Sequence, residues 1–142
     1  MITSNKALKV YQFIKLVGCA PEPVIYALTN NAGRNLRALQ RERVINKYVY
    51  GGTNWYVIAN HNLKKDKLYS DSIRAWFTLR WLQHGCTVDN GVYISKTGQQ
   101  FELSIQGDKA VIISSEYCYT ALLDDLIKNK KLNDSLKEFV TR

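Results

Sequence analysis

The residues best equipped to recognise a partner fall in one stretch, AGRNLRALQRER at positions 32–43. Ala32, Leu36 and Leu39 recur at spacings of four and three, so a helix here turns one apolar stripe toward a core. The opposite face then carries Arg34, Asn35, Arg37, Ala38 and Arg41. A guanidinium fork matches guanine, a carboxamide matches adenine, and a methyl group keeps the helix close or meets a thymine methyl. These five residues are therefore expected to face the major groove of double-stranded DNA. Lys47, Thr53 and Asn54 follow in two strand-like runs and are expected to approach the flanking phosphates. Asn30 or Asn31, just before the helix, is the expected N-cap, and Asn31 joins the same DNA-binding set. Tyr50 joins it too, as the aromatic residue best placed for base stacking. The competing account is that the arginines only solvate a surface helix.

Catalytic chemistry has weaker support. The chain holds no GxSxG, HExxH, P-loop or strand-to-helix GxGxxG motif. Asp89 and Glu102 are expected on adjacent strands, an arrangement that holds a metal in some nucleases. Such sites usually add a lysine two residues after the second acid, and here that position is Ser104. A solvated carboxylate pair is the expectation, with no catalytic residue, no metal, no cofactor and no enzyme activity. Cys19, Cys86 and Cys118 are odd in number and widely spaced, which argues against a disulfide framework or zinc cluster and for buried free thiols.

The elements that must position the basic face follow from periodicity and punctuation. Residues 5–18 read as a first helix stopped by Gly18, and a second helix opens at Ala20-Pro21-Glu22-Pro23. Thr29-Asn30-Asn31 makes the turn into the basic helix. Two β-branched and aromatic runs, residues 44–50 and 54–59, flank Gly51-Gly52-Thr53 as a hairpin. A helix–turn–helix followed by such a hairpin is the layout of a winged helix, assigned to residues 1–62. The polar run 61–67 (HNLKKDK) is the expected connector. Beyond it, residues 68–142 are expected to form a small αβββα unit. Its helix, capped by Ser70 and stopped by Gly85, has the inner stripe Ile73, Trp76, Phe77, Arg80 or Trp81, and His84. Its strands are residues 88–95, 100–106 and 110–115, followed by a helix over 117–129 and a last one over 133–142. The fold class is α+β.

Charge separates these halves. The chain of 142 residues carries a net +8. Residues 1–67 hold eleven Lys and Arg against Glu22, Glu42 and Asp66, whereas residues 68–142 hold nine basic and nine acidic side chains. A local cationic surface attracts polyphosphate through counterion release. The apolar fraction of 46% suits a globular protein. No apolar run approaches the roughly 20 residues of a membrane span, and the N-terminus lacks a secretory core, so a cytoplasmic address without a membrane partner is expected.

The run RNLRALQRERVINKYVYGGTNWYVIA resembles the winged helices of small bacterial regulators. With SDSIRAWFTLRWL, GVYISKTGQQFELSI and AVIISS after it, the chain is similar to proteins of the replication-relaxation type over about residues 7 to 127. That family is carried on plasmids and conjugative transposons of Gram-positive bacteria. The resemblance implies a DNA-handling protein of a mobile element acting in replication, relaxation, transfer or transcriptional control, and it supplies no catalytic residues. The second unit is expected to serve as a homodimerisation or protein-partner surface. The alternative is a protein-interaction module that inhibits a host defence nuclease through the same basic face.

Overall fold

The computed structural model describes residues 4–113 and 118–128. The fold is α+β, with five α-helices and two antiparallel sheets among the described residues. The chain divides into two compact units, residues 1–75 and 76–142. The division falls inside a helix rather than in the polar run that precedes it.

In the first unit, helix α1 (Asn5–Val17) starts at Ser4, whose Oγ accepts from the Ala7 amide at 3.3 Å. It buries Ala7, Val10, Phe13, Ile14 and Val17. Gly18, at φ 85°, ends it and donates its N–H to the Ile14 carbonyl at 2.8 Å. The chain then forms a strand that periodicity does not announce, β1 (Cys19–Pro21), three residues all buried. Helix α2 (Glu22–Leu28) follows, with proline in its first turn.

Helix α3 (Ala32–Arg41) buries Ala32, Asn35, Leu36 and Leu39. Asn31 holds the N-cap position in the left-handed region, at φ 59° and ψ 33°, but its side chain makes no capping bond. The local bond runs the other way, since Asn35 Nδ2 donates to the Asn31 carbonyl at 3.1 Å. The helix closes in a Schellman arrangement: Val44 donates to Leu39 at 3.2 Å and Arg43 to Gln40 at 3.0 Å, with Arg43 at φ 60°.

Strands β2 (Ile45–Tyr50) and β3 (Thr53–Ile58) pair through Gly51 and Gly52, whose φ of 61° and 76° suit a two-residue hairpin turn. β1 pairs on the other side of β3, giving the order β1-β3-β2. The register places Tyr48, Trp55, Val57 and Cys19 on one sheet face, where Leu63 and Leu68 pack against them. Ile45, Lys47, Tyr56 and Ile58 share the other face.

Helix α4 (Leu68–Gln83) carries the chain into the second unit. Ser70 lies inside the helix and donates to the Lys67 carbonyl at 3.0 Å, so it is not the cap. Every residue from Trp76 to Trp81 is buried, Arg80 as well as Trp81. Phe77 and Trp81 stack at 5.9 Å between centroids, and Tyr93 and Phe101 meet them edge-on. Thr78 Oγ1 and the Tyr93 hydroxyl are hydrogen-bonded at 2.8 Å, which satisfies both buried oxygens.

The sheet of this unit has five strands in sequential order: β4 (Thr87–Asp89), β5 (Val92–Ile94), β6 (Gln100–Gln106), β7 (Lys109–Ile113) and β8 (Cys118–Leu122). The expected single strand over 88–95 is a hairpin, because Asn90 and Gly91 both take positive φ, 49° and 80°. The expected helix over 117–129 is mostly strand: Cys118–Leu122 pairs with β7, and only α5 (Leu123–Lys128) is helical. Pairing with β7 overrides the helical spacing of Leu122, Leu123 and Leu126. The αβββα expectation is thus corrected to a helix, five strands and a helix. The helix expected over 133–142 lies outside the described residues.

Candidate nucleic-acid interface

On α3 the three arginines of the expected set stand outward. Arg34, Arg37 and Arg41 are exposed, and at spacings of three and four they form one row along the helix. Asn35 does not belong to that row. It is 7% exposed and bonded back to Asn31, which corrects its assignment to the groove face. An asparagine amide has a partner within its own helix start at this spacing, so side-chain type alone does not predict its direction. Ala38 is half-buried and Asn31 is exposed.

The row is continuous with α2. A Cβ on Gly33 would lie 2.9 Å from Tyr26 Oη and 3.3 Å from Arg37 Nη1, so the absent side chain lets both groups close over the helix backbone. Tyr26 is 55% exposed. Next to it a pocket of about 330 Å³ opens between the first turn of α2 and the hairpin tip, lined by Glu22, Pro23, Tyr26, Gly52, Thr53 and Asn54.

The hairpin residues of the expected set divide in their surroundings. Lys47 is exposed on β2, an edge strand. Thr53 and Asn54 are half-buried, and the Asn54 amide donates to Glu22 Oε2, so one of its donors is engaged by a carboxylate. The Tyr56 hydroxyl donates to the same oxygen at 3.3 Å. Burial first, and then the adjacent Glu22 carboxylate, push the Tyr56 phenol well above its ordinary range, and Arg37 pulls weakly the other way. Tyr56 therefore remains a donor throughout the physiological range. Tyr50 is 46% exposed, but the Lys65 ammonium sits 5.4 Å from its ring centroid. One face of the expected stacking platform is thus occupied by a cation of the same unit.

Glu22, Tyr26 and Lys65 are absent from the set read off the sequence. Glu22 meets its partners across 32 and 34 residues of chain, a separation that no local pattern encodes.

The unit of residues 1–75 carries twelve basic and four acidic side chains, a net of +8, and residues 76–142 carry eight of each. In the second unit Asp89 and Glu102 are not on adjacent strands. Both pair with Val92, one on each side of β5, which corrects the expected placement. Two strand spacings put their backbones roughly 10 Å apart. Cys19 and Cys86 are buried and Cys118 is exposed, which corrects the expectation for the third thiol. Burial, then Asp71, pushes the Cys19 thiol up to about 12.

No protein-family model, curated protein or solved structure matches the chain. No helix among the described residues is long and apolar enough to cross a membrane.

Proposed function

We propose that the first unit is a winged helix-turn-helix that binds double-stranded DNA without catalysis. In this reading α2 and α3 are the helix–turn–helix, α3 enters the major groove, and β2–β3 is the wing, with β1 completing its sheet. The observation that carries it is the exposed row Arg34, Arg37 and Arg41 on a helix whose other face is apolar and buried. Long guanidinium side chains on one helix face suit guanine edges and phosphates. Lys47 on the wing edge would position the duplex through its backbone. The chain would then be a DNA-handling factor of a mobile element, as the likeness to replication-relaxation proteins suggests, with the neutral second unit serving dimer or partner contacts.

Fluorescence anisotropy with labelled duplex tests the reading. Arg37→Ala is expected to cost about 1–3 kcal/mol if Arg37 reads a base, and to relax specificity at one position. Lys47→Ala is expected to weaken all sequences alike. Binding by both variants indistinguishable from the parent would remove α3 and the wing from the interface. A parent that ignores duplex but retains a host nuclease would favour an inhibitor instead.

A further inference from the structure

The pocket beside the arginine row contains the wrong charge for a phosphate. Glu22 is one of only four acidic residues in a unit with twelve basic ones, and it lines the space between α2 and the hairpin tip. A carboxylate there repels the DNA backbone and lowers general affinity, so any benefit must come from something it accepts. Its two hydrogen bonds, from Asn54 and Tyr56, both land on Oε2. Oε1 takes no hydrogen bond from the described residues. The carboxylate is therefore held from one side with an acceptor to spare. Pro23 and Tyr26 add apolar wall, and Tyr26 Oη stands beside the Arg37 guanidinium across Gly33.

An acceptor in this setting needs a donor that arrives together with negative charge. A free ammonium or guanidinium compound would be repelled by a unit of net +8. A nucleobase amino group satisfies both conditions, since its phosphates are drawn to the arginines while its N–H meets the carboxylate. We infer that Glu22 is a specificity-determining residue that accepts a hydrogen bond from the exocyclic amino group of a cytosine in the major groove, next to the bases met by Arg37. Cytosine is favoured over adenine because adenine presents the N7 acceptor beside its amino group, which would face the carboxylate lone pairs. Asn54 and Tyr56 are positioning residues that fix the carboxylate rotamer.

This inference rests on the duplex-binding reading, and the experiment separates the two. Binding sequences are selected from a randomised duplex pool with the parent, Glu22→Gln and Glu22→Ala, each first shown by thermal melting to be folded. Glutamine keeps the size of the side chain and can still accept from Asn54 and Tyr56. The parent is expected to prefer cytosine at one position by about fivefold to 150-fold. Both variants are expected to lose that preference, with glutamine shifting it toward adenine, while their affinity for random duplex rises because a negative charge has gone. Identical base preferences in parent and variants, or a parent that binds duplex with no cytosine position, would overturn the role of Glu22 and leave duplex binding standing. A parent that binds no duplex would overturn both.

Discussion

Arg80 is buried to 4% exposure, and its guanidinium is accounted for nitrogen by nitrogen. Nε donates to the Leu126 carbonyl at 2.8 Å, Nη2 to Ile127 at 3.2 Å and Nη1 to Gln83 Oε1 at 3.0 Å. The plane lies over Trp76, 5.3 Å from its ring. Arg80 thus caps the last carbonyls of α5, where the helix dipole favours a cation. Arg80→Met is expected to destabilise the second unit by about 2–4 kcal/mol, because the Leu126 and Ile127 carbonyls lose charged donors. Lysine is expected to recover little of this, since it lacks the planar fork. Urea unfolding followed by tryptophan fluorescence measures both. Asp71 shows a different balance: burial raises its pKa despite Arg74, Lys67 and Lys64 nearby. A carboxyl whose folded pKa exceeds its unfolded one binds its proton more tightly in the folded chain. Stability is then greatest below the ordinary carboxylate value and declines as pH rises through the folded pKa. Asp71→Asn should therefore melt higher than the parent at pH 7 and lose that advantage in acid. Equal gains at every pH would assign the effect to something other than titration.

At the scale of elements, what could be read in advance follows the strength of local signals. α1, α3 and the β2–β3 hairpin rest on apolar periodicity and on glycine punctuation, which act within a few residues. β1 and β8 exist only because another strand accepts them: Cys19 pairs with the distant Val57, and Cys118 with Ile113 of the preceding strand. A three-residue strand has no period to detect, and β8 carries leucines at helical spacing. The Asn90-Gly91 turn is legible in the sequence, since that dipeptide favours positive φ at both positions. On α3, the outward arginines follow from the buried Leu36 and Leu39 stripe. The inward turn of Asn35 and the Glu22–Asn54 bond do not, because each depends on where a partner lies in space. The end of α3 is a place where sequence and backbone disagree. Arg43 takes the left-handed position at which glycine is favoured. Arg43→Gly is expected to stabilise the first unit by about 1 kcal/mol, read as a rise in its denaturation midpoint. No gain would mean that the arginine side chain contributes enough to offset its backbone strain.

For the molecule as a whole, charge partition is legible in the sequence, because a count needs no partner to be identified. The compact units sharpen it: net +8 in residues 1–75 and neutrality in residues 76–142. Folding adds that three of these cations stand in one exposed row, next to a pocket with a carboxylate that is already held. Generic affinity and discrimination would then reside in neighbouring parts of the same unit. Counterion release makes the first of these measurable without knowing the target sequence. The direct test is the affinity of the whole chain for random duplex DNA as salt is raised, for the parent and for a variant with Arg34, Arg37 and Arg41 all changed to Gln. The parent should show a steep linear fall of log K with log salt, and the variant a slope shallower by up to about 0.9 for each arginine that neutralises a phosphate. A parent without measurable duplex affinity at low salt, or a variant with an unchanged slope, would contradict the account.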